Sequence, residues 1–198
     1  MSKVTCDTSI SLDGYTTGLN QSLEHPFGPA VGERLHTWMF EDREANIRAV
    51  DAIVEAKAYI MGRNMFSPGR GEWDEDWKGW WGDNPPYHGP VFVLTHYPRE
   101  PIEMEGGTTY HFVTDGIESA LEQAREAAGD GSVSIAGGAH VVSQYLAAGL
   151  IDELRLHVVP MVIGAGERPL DGVGELELVQ LDSWATDTVT HLTYGPRR

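Results

Sequence analysis

The stretch Ser134-Ile135-Ala136-Gly137-Gly138-Ala139-His140 decides how the rest of the chain is read. Small and β-branched apolar residues run from Val133 to Ala136, as in a strand buried on both faces. Two glycines follow, and at once Val141, Val142, Tyr145 and Leu146 take up helical spacing that closes at Gly149. A strand that hands over to a helix through Gly-Gly leaves the first N–H groups of the helix without partners. Those groups and the positive end of the helix dipole face the crevice at the strand's C-terminal end. Glycine there lets a diphosphate approach the backbone. Paired glycines also serve plain tight turns, so the pattern alone leaves a phosphate cradle and a simple turn both open. Gly137, Gly138, Ala139 and His140 are the candidate cradle.

Two further strand ends carry related chemistry. Residues 58–61 read as a short buried strand running into Gly62-Arg63, where the arginine is either a phosphate partner or an ordinary surface residue. Residues 91–95 read as another, ending in Leu94-Thr95-His96, which suits a ribose phosphate or the start of a turn before Pro98. Ligands of open α/β sheets bind at the C-terminal edge of the strands, so three such ends reinforce one another. The dinucleotide fingerprint G-x-G-x-x-G is missing. Gly164-Ala165-Gly166-Glu167-Arg168-Pro169 lacks its third glycine and puts proline where the helix would start. An ordinary Rossmann dehydrogenase is disfavoured, and the P-loop, G-x-S-x-G and H-E-x-x-H motifs do not occur.

Working outward, residues 4–12 alternate as a first strand before the turn Asp13-Gly14, and residues 18–32 form a loop. Leu35, Trp38 and Met39, then Ile47, Val50 and Val54, predict one or two helices. Residues 110–113 read as a short strand. A helix follows with Asp115 as N-cap, Glu118 at N3 and Gly129 as its stop. Residues 154–159 predict a strand, and residues 175–184 and 186–194 an antiparallel pair. The expected fold is one α/β domain over residues 1–198. It has a mostly parallel central sheet, helices on both faces and an antiparallel C-terminal edge.

Residues 67–90 show no period, and a loop of that length is usually functional. Trp73, Trp77, Trp80, Trp81 and Tyr87 crowd it beside Asp74, Glu75 and Asp76. They form either a side wall or subunit contact, or an aromatic lid over a planar substrate.

Composition bounds the function. The 198 residues hold 14 basic and 30 acidic side chains, a net charge of −16. That opposes nonspecific binding to nucleic acid or anionic membrane. Apolar residues make up 41%, enough for a core, yet no run approaches a membrane span. Cys6 is the sole cysteine, which excludes an internal disulfide and a cysteine metal cluster, and the eight histidines lack metal spacing. Met1-Ser2-Lys3 leads straight into strand-like sequence with no apolar leader, so a cytoplasmic protein is expected.

The ordered set of segments resembles the dihydrofolate reductase superfamily, most closely the branch of the C-terminal reductase domain of riboflavin biosynthesis. The matching pieces are Thr8-Ser9-Ile10-Ser11-Leu12-Asp13-Gly14-Tyr15, Tyr59-Ile60-Met61-Gly62-Arg63, Val91-Phe92-Val93-Leu94-Thr95 and Ile135-Ala136-Gly137-Gly138. Leu150 to His157 and Pro160 to Gly166 complete the series.

The resemblance implies a stand-alone NADPH-dependent reductase. It would transfer a hydride to a C=N or C=O carbon of a small planar heterocycle, as a 5-amino-6-(5-phosphoribosylamino)uracil reductase does. By the same resemblance Gly137, Gly138, Ala139 and His140 hold the pyrophosphate, and Arg63, after Gly62, neighbours the adenosine phosphate. Leu94, Thr95 and His96 flank its ribose, and the loop from Leu12 to Thr16 covers the nicotinamide. Asp13 is the candidate catalytic acid, beside ordered water or a flanking carboxylate. Trp38, Trp80, Trp81 and Tyr87 are the candidate substrate contacts.

The sequence also departs from both parents. No acidic residue in Leu35-His36-Thr37-Trp38-Met39-Phe40 matches the pterin-facing acid of folate reductases, and Tyr15 replaces the lysine usual after Leu-Asp-Gly in riboflavin-type enzymes. A true dihydrofolate reductase and a non-catalytic nucleotide-binding module are the alternatives. A homodimer is expected, with no metal.

Overall fold

The computed structural model describes residues 2–67 and 69–197. Met1 of the N-terminal reading, Pro68 in the long loop and Arg198 at the end of the expected domain lie outside the described residues. The strands are β1 (Val4–Ser11), β2 (Ala58–Gly62), β3 (Pro90–Leu94), β4 (Ile102–Glu103), β5 (Thr109–Val113), β6 (Val133–Gly137), β7 (Glu153–Val159), β8 (Leu178–Ala185) and β9 (Thr190–Pro196). The helices are α1 (Thr37–Phe40), α2 (Ile47–Val54), α3 (Arg63–Phe66), α4 (Ile117–Ala128) and α5 (Ala139–Ala147).

All the strands join one sheet in the order β4-β5-β3-β2-β6-β1-β7-β9-β8. The run from β5 to β7 is parallel throughout. The C-terminal hairpin adds the expected antiparallel edge, and the two-residue β4 adds a second one at the far side. A pair that short has no readable period.

Alternation along the strands sorts the layers. Val4, Cys6 and Ile10 of β1, Ala58 and Ile60 of β2, and Ile135 of β6 bury one face against Leu121, Val142 and Tyr145 of α4 and α5. On the other face Tyr59, Met61, Val91, Val93 and Tyr110 meet α3's Phe66 and the loop residues Trp73 and Trp77. Leu35, Trp38, Ala49 and Val50 close the rest of that face over Val159. Helices therefore cover both faces, but over β2, β3 and β5 a tryptophan-bearing loop takes the place of a helix.

One local expectation is corrected, and one short element is added. Asp115 does not cap α4. Gly116 is the N-cap, at φ 96°, and no side chain caps the helix. Only glycine turns the chain there cheaply, which puts the start one residue beyond the Asp–Glu capping pair. Gly62 ends its strand as expected, and the one-turn helix α3, which the sequence reading did not include, follows directly. Four residues are too few to register as a helical period.

Gly62 itself is fixed by packing. A Cβ there would stand 2.8 Å from Val141 Cγ2, so α5 reaches β2 only because that position has no side chain. Overpacking of this kind costs about 1–3 kcal/mol. Gly62→Ala should lower the urea unfolding free energy by that amount, and an unchanged value would mean that α5 does not bear on β2.

Candidate active site

Parallel neighbours β3, β2, β6 and β1 bring their C-terminal ends to one edge of the sheet. At β6 the backbone turns at Gly137, φ 131°, and the Gly137–Gly138 peptide is cis. The helix α5 begins at the next residue, so its unpaired N–H groups open onto this edge. A side chain at Gly138 would meet nothing within 4 Å, so the space before the helix start is clear. Ala139 is buried and His140 is exposed.

At β2 the chain delivers Arg63. Its guanidinium lies 3.9 Å from the Trp73 ring centre and 4.9 Å from that of Tyr97. Nη2 donates to the Glu72 carbonyl at 3.2 Å, while Nε and Nη1 are buried with no partner. Desolvation pushes its pKa down, with the Arg70 and Arg99 charges adding to the effect. Aromatic faces attract the cation, but they accept no in-plane hydrogen bond. Two guanidinium nitrogens left without acceptors are costly, and an anion reaching either would offset part of that cost.

Arg99 contrasts with it. That guanidinium pairs with Glu75 at 3.2 Å and donates to the Trp77 and Glu75 carbonyls at 2.9 and 2.7 Å, so it is spent on holding the loop. At β3, Leu94 is half-buried, the buried Thr95 accepts the Tyr97 N–H at 3.1 Å through its hydroxyl, and His96 is exposed.

At β1 the loop of residues 12–17 is joined to residues 161–168. Asp13 Oδ1 accepts from Ser11 Oγ at 2.6 Å and from the Ile163 N–H at 3.1 Å, and Oδ2 accepts from the Gly164 N–H at 2.7 Å. The Ser11 hydrogen bond, helped by those backbone N–H groups, holds its carboxyl at about 2. A carboxylate so occupied binds loops together and carries no proton at neutral pH. The Thr16 N–H donates to Glu167 O at 2.9 Å, and Arg168 donates to Tyr15 Oη at 2.9 Å. A Cβ on Gly166 would stand 1.8 Å from Thr17 O, so only glycine allows this approach.

The tryptophans are tethered. Trp73 meets Phe112 and Phe66 edge-on at 5.0 and 5.9 Å, and Trp77 donates to the Phe66 carbonyl at 2.7 Å. Trp80 is edge-on to Trp77 at 4.8 Å. Trp81 donates to Tyr87 Oη at 3.2 Å and lies 6.2 Å from Phe40, with 44% of its surface exposed. Tyr87 is buried on Tyr59, and burial pushes its hydroxyl up to about 12. Trp38 is buried elsewhere, donating to Ser9 Oγ at 3.1 Å with its ring 4.7 Å from His157.

Gly62, Arg63, Leu94, Thr95, His96 and the Gly137–His140 segment thus share one edge, with Thr16 and Asp13 on the β1 rim beside it. Sequence reasoning missed Asp7, His157, His191 and Asn46, a buried polar group behind Trp38. A usable signal was present: Asp7, Ser9 and Ser11 put polar side chains on one face of an otherwise apolar parallel strand. Among the described residues no group of three or more His, Cys, Asp or Glu side chains could hold a metal, and no helix is long and apolar enough to cross a membrane.

A mostly parallel α/β sheet thus carries a glycine-gated helix start and an unmatched arginine on one edge. The chain belongs to the RibD C-terminal domain family, whose model matches residues 2–192. No match was found among curated proteins. Solved structures are similar in fold. A Shewanella sp. PV-4 protein ascribed to riboflavin biosynthesis is 21% identical, with TM-score 0.66 and 99% of each chain covered. Dihydrofolate reductase from Enterococcus faecalis, complexed with NADP(H), is 15% identical with TM-score 0.61, covering 99% of this chain and 97% of that one. The Thermotoga maritima diaminohydroxyphosphoribosylaminopyrimidine deaminase/5-amino-6-(5-phosphoribosylamino)uracil reductase is 14% identical with TM-score 0.60; 99% of this chain spans 57% of it.

Asp13→Asn should speed amide exchange in residues 12–17 on the order of tenfold, because the amide cannot accept three hydrogen bonds as the carboxylate does. Exchange unchanged in that loop would show that Asp13 does not hold it.

Proposed function

We propose that this protein is an NADPH-dependent reductase of a riboflavin-pathway pyrimidine, of the 5-amino-6-(5-phosphoribosylamino)uracil reductase type. Membership of the RibD C-terminal domain family supports the reading. The single observation that carries the cofactor assignment is Arg63, a half-buried cation whose buried Nε and Nη1 have no partner, at the edge where the parallel strands end. The donor set fits NADPH. Arg63 takes the 2′-phosphate, and Leu94, Thr95 and His96 flank the ribose. The helix start at Gly137, Gly138, Ala139 and His140 takes the pyrophosphate.

When bound, the reduced nicotinamide supplies a hydride for an electrophilic C=N or C=O carbon. The joined rim from Leu12 to Thr16 orients the ring and keeps water off it. Asp13 acts there as a positioning residue, since its carboxylate is already ionised and occupied; the proton comes from solvent. On the substrate side, the exposed Trp81 offers its face to a flat heterocycle, with the half-buried Trp80 in the same loop, whereas Trp38 and Tyr87 are buried in the core and are not substrate contacts.

A homodimer and a cytoplasmic location complete the reading. Supporting the first, β8 is an edge strand with Val179 and Leu181 exposed at 41% and 57%. Supporting the second, Cys6 is a buried free thiol in a chain read as using NADPH.

Calorimetry should show NADPH bound more tightly than NADH by about 1–3 kcal/mol, the range of a charge-assisted pairing. Arg63→Ala should remove that preference and leave NADH affinity nearly unchanged. Equal affinities in the parent protein would defeat the assignment. Light scattering at micromolar concentration should give twice 21.8 kDa, and a monomer mass would refute the dimer.

A further inference from the structure

The rim formed by residues 12–17 and 161–168 carries a cation that the cofactor assignment does not use. The Arg168 guanidinium lies 4.2 Å from the centre of the Tyr15 ring, and its Nη2 donates to Tyr15 Oη at 2.9 Å. Tyr15 Oη donates in turn to the Gly164 carbonyl at 3.2 Å, so the phenol is fixed by two partners. Arg168 is exposed and Tyr15 half-buried. The Nε and Nη1 of Arg168 make no hydrogen bond, and no carboxylate pairs with it among the described residues.

The backbone on the N-terminal side of Arg168 is pinned. The Thr16 N–H donates to the Glu167 carbonyl at 2.9 Å, and the Glu167 N–H donates to the Thr17 carbonyl at 3.1 Å. Pro169, buried, follows directly and holds its own φ. An arginine normally loses rotamer freedom when it captures a ligand. Here the Tyr15 ring and hydroxyl have already ordered the side chain. What remains is an oriented guanidinium whose other N–H groups are open, the donor set that takes a phosphate by charge-assisted hydrogen bonds.

Its place on the edge says which phosphate. Strands β2, β6 and β1 are consecutive in the sheet, about 4.8 Å apart. Arg63 stands at the end of the first, the α5 start at the end of the second, and Arg168 on the rim of the third. In the reductase reading Arg63 takes the 2′-phosphate, the helix start takes the pyrophosphate, and the nicotinamide reaches the rim. NADPH then has no phosphate left for Arg168. The molecule that meets the nicotinamide there is the substrate.

We propose that Arg168, held on Tyr15, recognises a phosphate on the substrate and so selects a phosphorylated heterocycle over its dephosphorylated form. The proposal rests on the reductase reading for the identity of that ligand. Nearby acids do not compete for the cation. The Asp13 carboxylate is occupied by Ser11 Oγ and the Ile163 and Gly164 N–H groups. Glu167 and Asp171, both exposed, make no ion pair with Arg168.

Ribose 5-phosphate is the probe, with ribose as its uncharged control, added to the full chain saturated with NADP+. Arginine ¹⁵Nε spectra should show the Arg168 signal moving with ribose 5-phosphate and not with ribose. Arg168→Gln, an exposed change, should weaken ribose 5-phosphate on the order of tenfold or more and leave NADPH affinity unchanged. In turnover of 5-amino-6-(5-phosphoribosylamino)uracil the same variant should raise KM with kcat nearly unchanged, and with the dephosphorylated compound it should alter neither. Ribose 5-phosphate bound no better than ribose by the parent, or equally well by Arg168→Gln, refutes the proposal. So does a matching loss of NADPH affinity in Arg168→Gln, which would give Arg168 to the cofactor. Failure of the parent to bind NADPH defeats the reductase reading and the substrate role with it. A failure confined to the ribose 5-phosphate measurements leaves the reductase reading standing.

Discussion

The structure depends on the close approach of α5 to the middle of the sheet. β6 lies between β2 and β1, and the helix that follows it begins at the residue after Gly138. No loop separates strand from helix, so the first turn of α5 must pass over β2 with no spare distance. Gly62 supplies that room: its missing Cβ is where Val141 Cγ2 rests. Two glycine-bearing strand ends, 75 residues apart by their numbers, are thereby one packing decision. The same decision leaves the helix N–H groups facing the edge where Arg63 emerges. The geometry that permits tight packing also brings the helix start and Arg63 to one edge, where the proposed cofactor would sit.

On the opposite face the chain solves the covering problem without a helix. Tyr59, Met61, Val91, Val93 and Tyr110 need an apolar roof, and residues 67–89 provide it with Trp73 and Trp77. Such a loop has few backbone hydrogen bonds of its own, so side chains must fix it. Arg99 does so by donating to two loop carbonyls, and edge-on aromatic pairs contribute about 0.5–1.5 kcal/mol each beyond burial. Fixed in this way, Trp73 becomes a flat wall for Arg63. The loop is a roof over this face, with Trp81 as its exposed tryptophan.

Most of the fold was legible because the central strands are short, apolar and bounded by glycine or polar turns. Parallel order and the antiparallel hairpin followed from that rhythm. What stayed hidden was either too short to have a period, as α3 and β4 are, or set by partners remote in sequence. The cap of α4 belongs to the second kind, since the positive φ of Gly116 outweighs the Asp115–Glu118 pattern. The edge residues Arg63, Thr95 and Gly137 were visible as strand endings. That Thr95 closes a turn, or that Asp13 is consumed by Ile163 and Gly164, was not: both depend on contacts the sequence does not rank. His157 and His191 lie 34 positions apart and meet through the β7–β9 register, which pairs them directly.

The charge distribution explains how a chain with net charge −16 remains suited to a polyanionic ligand. At physiological salt, surface charges are screened beyond about 8 Å, so the excess of carboxylates governs solubility and approach more than bound-state energy. Inside the edge, the balance is set residue by residue. Arg99, beside Arg63, has a carboxylate partner in Glu75 and presents little net charge. Arg63 is held by aromatic rings that take no in-plane hydrogen bond, and its Nε and Nη1 remain unmatched. A ring wall raises the cost of leaving the guanidinium unpaired without neutralising it, so an arriving phosphate gains both the Coulomb attraction and the relief of that desolvation. In the proposed reading, selectivity for a phosphorylated cofactor rests on withholding a carboxylate from Arg63 while Arg99 beside it is paired.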